Sequence, residues 1–284
     1  MQRISNGAKW PLVAAGVLTI AAFAADNRKE FRYTVGPGAS VTVTNGSGPV
    51  DVRGSAGRQV VIVATTHSDK VEVDCDQNGN RVQATTHFLR PADGADGRVE
   101  YQVLVPPDAS VTVRAPGGPI TAEKMRGDLS FEGDAAQVDL HDVSNAHVRV
   151  RTISGPVNLG NITNGHVEVT SVSGNVQLDA VSGPKVSINT AKGFIRYNGD
   201  FGESGDYMLV NHSGNIDVTL PASASVDLTA RSLTGSVEND FPMKQKQHLA
   251  FPVTEGRSFA GTSNSGASSV QLRSFSGKIR VKKQ

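Results

Sequence analysis

Residues 167–178 read VEVTSVSGNVQL. The phrase stands nineteen residues earlier as VRVRTISGPVNL and nineteen residues later as VSINTAKGFIRY. Taking its glycine as origin, apolar residues fall seven and five positions before it and two and four positions after it. A small polar residue sits three before, and most often a serine directly before. Around Gly174 these are Val167, Val169, Ser171, Ser173, Val176 and Leu178. Side chains of an extended strand alternate faces, so Val167, Val169 and Ser171 share one face. Parity flips at the glycine, and Val176 and Leu178 return to the same side. A strand that bends at glycine and keeps its apolar face inward is turning a corner around a core.

The phrase recurs at Gly48, Gly118, Gly155, Gly193, Gly214, Gly235 and Gly277, with Ala136 replacing the glycine in one copy and a degenerate copy near Gly256. A unit of about 19–21 residues cannot bury its apolar face alone, and stacked units bury one continuous core. The expectation is an all-β, single-stranded β-solenoid of the right-handed β-helix type, each coil pairing with the next in sequence. Asn45, Thr152, Ser171, Thr190, Asn211, Ser232 and Ser274 then form a polar ladder that hydrogen-bonds turn backbone at the corners. Recurrence in every coil, with no base beside any of them, makes these residues structural and not nucleophiles.

Outside the repeat, residues 1–24 read as a secretory signal peptide. Arg3 and Lys9 precede an uncharged run from Trp10 to Ala24 that closes on Ala22-Phe23-Ala24. The run is shorter than the ~20 residues of a membrane span, so no span is expected after cleavage. Residues 25–106 read as a β-rich portion continuous with the solenoid, where alternating strands are separated by the turn sequences QNGN and PADGADG. The repeats occupy 107–284, with an irregular insertion at 240–262. The closing GKIRVKKQ reads as a terminal strand whose charges oppose end-to-end pairing.

Several segments resemble a known family: VTVTNGSGPVDVRG, YQVLVPPDASVTVRAPGGPITA, the repeated V-x-V-x-T-x-S-G-x-V-x-L, and the closing VQLRSFSGKIRV. They are similar to the bacterial "putative adhesin" β-strand-repeat family of unknown function, over residues 31–283. The resemblance implies a β-helix-type solenoid on an exported or envelope protein. It brings no catalytic residues with it.

The chemistry of the chain is sparse. Its 28 basic and 27 acidic residues nearly balance, which argues against nucleic acid as a partner. The sole cysteine, Cys75, excludes an internal disulfide. No catalytic residue, cofactor site or cofactor is expected. His67 and His87, in two ATTH segments with Asp69, Asp74, Cys75 and Asp76 nearby, are weak metal candidates if their strands are adjacent. His147 and His166 should stack outward one coil apart, but a closed site wants three or four ligands. Arg114, Glu132 and Arg151, and separately Arg149 and Glu168, fall in columns suited to ion pairs between coils.

The expected function is a non-enzymatic scaffold in the periplasm or at the cell surface, offering a lateral surface to an envelope protein or a glycan. A polysaccharide-active β-helix enzyme is the alternative. It needs clustered carboxylates and aromatic sugar platforms, and aromatic residues make up 5% of the chain. An envelope-stress or signalling accessory role is a third reading.

Overall fold

The structure is a computed structural model that describes residues 27–246 and 254–284. The expected signal peptide lies outside the described residues, as does the middle of the 240–262 insertion. Among the described residues the secondary structure is all β, with 25 strands in two large sheets. Among these residues no helix is long and apolar enough to cross a membrane.

Each coil gives one strand to each sheet. The strand before the corner glycine enters a 13-stranded leading sheet, and the strand after it enters a 12-stranded trailing sheet. Equivalent residues are in parallel register, so Val148 pairs with Val167 and Val167 with Val186. Likewise Val157 pairs with Val176 and Val176 with Ile195. The inward valines, leucines and isoleucines of both sheets form one continuous buried cluster along the axis. Around Gly174, Val167, Val169, Val176 and Leu178 are all buried.

A second bend closes each coil. Six residues after the corner position, Lys124, Asp142, Asn161 and Ala180 all adopt φ between 53° and 59°. The register skips this position, running His141–Gly160 and then Val143–Ile162. Parity flips there once more, which turns Met125, Val143, Ile162 and Val181 into the core. Asp and Asn tolerate the left-handed region better than most residues. Their side chains also bridge the coils, as Asn161 Nδ2 donates to Asp142 Oδ1 at 3.0 Å and Asn164 Nδ2 to Asn145 Oδ1 at 2.6 Å.

From Leu129 to Leu220 the coils stack in sequence order, but both ends depart from it. The first coil, with strands Ser40–Thr44 and Val50–Gly54, stacks directly on the coil of Ser110–Arg114 and Ile120–Met125. The intervening chain runs outward and supplies a further coil from Arg81–Phe88 and Val99–Val105. The antiparallel strands Val71–Asn78, Gln59–Thr66 and Asn27–Thr34 lie beyond it.

The C-terminal end does the same. Strands Ser268–Ser274 and Ile279–Lys283 lie between the coil of residues 206–220 and the coil of residues 226–239. GKIRVKKQ is therefore not a terminal strand. Its outward Lys278 and Arg280 pair with Glu238 of the next coil, Arg280 Nε at 3.4 Å from Oε2. The true edges are Asn27–Thr34 and Val237–Asn239 in the trailing sheet, and the acidic Val71–Asn78 and short Lys244–Gln245 in the leading sheet. Gly256 marks a turn with φ 68°, and strand Ser258–Thr262 runs antiparallel to Val226–Ser232, so no coil stands at Gly256.

Candidate interaction surface

The corner is built by the Ser-Gly of the phrase. A side chain on Gly174 would collide with the carbonyl of Gly155 in the coil below, and a Cβ there would stand 2.9 Å from that carbonyl carbon. Close backbone approach, rather than backbone twist, requires glycine at Gly155, Gly174, Gly193, Gly214, Gly235 and Gly277. Gly48 and Gly118 add a positive φ, at 102° and 100°. The preceding serine caps the coil below as well. Ser173 N donates to Ile153 O at 2.8 Å and its hydroxyl to the same oxygen at 3.2 Å.

The side chains three residues before the corner are all buried. Ser171 Oγ accepts from Gly174 N at 2.9 Å, Ser274 Oγ from Gly277 N at 2.8 Å, and Asn211 Oδ1 from Gly214 N at 2.7 Å. Ser232 Oγ accepts from Gly235 N and donates to Gly277 O of the neighbouring coil. Thr152 Oγ1 donates to Ser171 Oγ at 3.1 Å, and Asn45 Nδ2 to Gly48 O and Val99 O. Thr190 is the exception, since its buried hydroxyl finds no partner.

His67 and His87 do not meet as neighbours. His67 follows strand Gln59–Thr66 of the trailing sheet, and His87 lies in Arg81–Phe88 of the leading sheet. His67 Nε2 is 3.4 Å from Glu100, and His87 Nε2 is 3.3 Å from Asp74. Identical ATTH segments placed them together in the sequence reading, but the chain between them switches sheets. Arg114 and Arg151 both approach Glu132, at 3.1 and 3.9 Å. His147 and His166 do stack, with ring centroids 4.5 Å apart. Glu168 stands beside them. Burial raises its pKa, but the hydrogen bond from Arg149, with the nearby Arg149 and histidine charges, more than offsets this and holds the carboxyl below its usual range.

A column that the sequence reading passed over lies two residues before the corner. Backbone bonds between neighbouring corners order it as Ile153, Val172, Ala191, His212, Phe275 and Leu233. Its side chains face outward, and Ile153, Val172, Leu233 and Phe275 are 46–51% exposed. Recurrent apolar residues on a solvent face are an unusual use of surface. The signal was present in the phrase as TISG, SVSG, SLTG and SFSG. Its outward parity sets it apart from the inward positions on either side, whose burial fixes the phrase.

Toward the C-terminal end this column borders a groove of about 770 Å³ that spans four coils of the leading sheet. The rings of His212 and Phe275 stack at 4.8 Å, 13° from parallel, and form part of its lining with Ala191 and Leu233. Arg231 and Arg273 also line it, and among the described residues no carboxylate does. Phe275 reaches the groove only because the last coil is interleaved between residues 212 and 233.

Parallel two-strand coils around one core, with a structural polar ladder and an outward apolar column, define a β-solenoid of repeat type. The chain belongs to the Toastrack DUF4097 family, whose profile matches residues 39–282. Among solved structures it is similar to a "putative adhesin" from Bacteroides fragilis, at 11% identity, covering 92% of this chain and 99% of that one with a TM-score of 0.48. It is also similar to a "putative cell adhesion protein" from Clostridium sporogenes, at 14% identity, 91% and 100% coverage and a TM-score of 0.29. A third, a "putative adhesin" from Parabacteroides merdae, has 13% identity, 90% and 96% coverage and a TM-score of 0.26. No curated protein matches the chain.

Proposed function

We propose that this protein is an exported, non-enzymatic, adhesin-like scaffold of the cell envelope that holds a partner along the outer face of its leading sheet. The observation that carries the reading is the groove beside the outward apolar column. Its apolar lining offers area for burial, and Arg273, whose side-chain partner is the neutral Gln271, favours an anionic partner. The occupant is an extended polypeptide segment of another envelope protein, bearing large apolar side chains and carboxylates. Arg273 suits bidentate carboxylate recognition, and the stacked His212–Phe275 pair offers a flat anchor. Among the described residues, Glu132, Glu168 and Asp217 stand in separate places along the stack, which does not favour the paired carboxylates of glycoside hydrolysis.

The test is binding of fluorescent peptides by anisotropy, comparing an acidic Leu- and Phe-containing set with basic and purely polar sets. Acidic apolar peptides should bind best, and Phe275→Glu or Arg273→Glu should weaken them at least tenfold. A parallel panel of uronate polysaccharides is assayed for binding and for cleavage. Glycan turnover, or peptide binding indifferent to both substitutions, overturns the reading. Export is tested separately by the intact mass of the protein recovered from the envelope, which should begin at Ala25.

A further inference from the structure

His147 and His166 are register partners on adjacent coils, and Glu168 stands two residues beyond His166 on the same outward face. One ligand atom from each of the three lies within 4.8 Å of the other two. Nε2 of both rings is shielded from solvent and makes no hydrogen bond. Glu168 Oε1 stands 3.3 Å from His166 Nε2. Polar atoms shielded in this way cost free energy unless something satisfies them. Ligands about 2.1 Å from a tetrahedral ion stand about 3.4 Å from one another, so the histidine–glutamate edge already has the needed length. The remaining edges lie within 4.8 Å, so binding requires a turn of the stacked rings. Arg149 Nε sits 3.3 Å from the other carboxylate oxygen, Oε2, and leaves Oε1 facing the rings. The parallel ladder fixes both histidine backbones on neighbouring strands, which gives the cluster a rigid base.

We propose that His147, His166 and Glu168 bind a divalent cation of the zinc type on the outer face of the leading sheet. Two imidazoles and one carboxylate suit zinc and its first-row neighbours better than calcium or magnesium, which take all-oxygen shells. Three protein ligands leave the fourth position to water or to a donor brought by another molecule. Asp128, whose Oδ1 accepts from His147 N at 3.4 Å, and Lys185, in register with His166, flank the site along the column. The inference stands apart from the groove, which lies on other coils of the same sheet.

Calorimetric titration of the folded chain with zinc chloride in a non-chelating buffer should give one equivalent bound. His166→Ala and Glu168→Gln should each weaken binding at least tenfold, with circular dichroism unchanged. Cobalt(II) in place of zinc should give the strong visible bands of a four-coordinate site, lost in the same variants. His87→Ala should bind like the unaltered chain. Binding below one equivalent, undiminished binding in both ligand variants, or equal weakening in His87→Ala overturns the proposal.

Discussion

Between Leu129 and Leu220 each coil lies on the one that precedes it in sequence, whereas at both ends it does not. In the middle the glycine-to-glycine interval and the stacking order carry the same information. At the ends the phrase still shapes the coil but no longer names its neighbour. The coil around Gly277 lies between those around Gly214 and Gly235, and the coil around Gly48 lies between Gly118 and the strands 81–105. Every coil presents nearly the same inward set and the same backbone edge, so any coil can in principle pair with any other. Order is then decided by the connections and by the antiparallel strands that close each end. Interleaving also leaves the first and last phrases with a parallel neighbour on each side, so neither is a free edge open to fraying or to a second chain.

The most drastic way to break this comparison is to end the chain after Thr262. In a sequential stack the loss of residues 263–284 would remove one coil and leave the rest whole. Here it removes the parallel partners of Val226–Ser232 and Val237–Asn239 together. Residues 221–262 should come loose, and trypsin should cut at Arg231, Lys244 and Lys246 while residues 27–220 resist. Mass spectrometry of a timed digest reads the outcome, and a protected 221–262 would refute interleaving.

A pair of substitutions contrasts a middle coil with an end coil. Val169 is fully buried, and Val237 is half-buried on the short last strand of the trailing sheet. Val169→Asp places an unpaired carboxyl in the core and should cost several kcal/mol, about 3 or more. Val237→Asp should cost about 1 kcal/mol or less, since solvent reaches the site. Urea melts of the two variants measure the gap, and equal midpoints would mean the middle is no better packed than the end.

The extent to which the fold was legible follows from what parity can encode. Alternation around Gly174 names the inward residues and the corner, because burial acts on every second side chain. The polar ladder was legible for the same reason, since a hydroxyl in an inward column needs a turn to bond. The second bend was written less clearly. Asp142 and Asn161 signal it, but Lys124 and Ala180 occupy the same place without any special chemistry. Coil order was not legible at the ends, because Val270 and Leu272 would pair equally well with Leu228 and Ala230 or with Tyr207 and Leu209, and they do both. His67 and His87 misled through identical local words whose strands enter different sheets. Phe275 could not be placed in the groove without knowing which coils flank it.

Within the regular middle, the polar ladder offers a finer contrast. Ser171 Oγ accepts from Gly174 N and from Thr152 Oγ1. Ser171→Ala leaves a buried N–H without its acceptor and should cost about 1–3 kcal/mol. Thr190 carries the same place one coil on, yet its hydroxyl is unsatisfied. Thr190→Val keeps the shape and removes the stranded group, so it should be neutral or stabilising by up to about 1 kcal/mol. Thermal melts at one pH compare them, and equal losses would show that the ladder acts through packing alone.

The smallest expected effect concerns the N-terminal end, where Cys75 lies half-buried in the outermost strand of the leading sheet. Burial pushes its thiol pKa up to about 12, the Asp74 and Asp76 carboxylates add to the rise, and Lys29 pulls the other way. An ordinary cysteine titrates near 8.5, so the thiolate population at pH 8 falls roughly a thousandfold in the folded state. The thiolate is the reactive form, and a maleimide should label the folded chain roughly 10³ times more slowly than the urea-unfolded chain. The sign of the linkage follows from the same shift. The folded state holds the thiol proton more tightly, so this contribution to stability is whole below about pH 8.5 and declines as pH rises toward 12. Cys75→Ala should leave the melting temperature at pH 7 almost unchanged and flatten its fall above pH 9. The labelling rate also reports how firmly the end is closed. If the outer hairpin opened readily, labelling would proceed through the open form at a rate close to that of the unfolded chain, and the end would be a frayed edge instead of a cap. Slow labelling together with fast tryptic release of 221–262 in the truncated chain would show that the antiparallel strands keep the N-terminal end closed, whereas those of the C-terminal end do not hold without its interleaved coil.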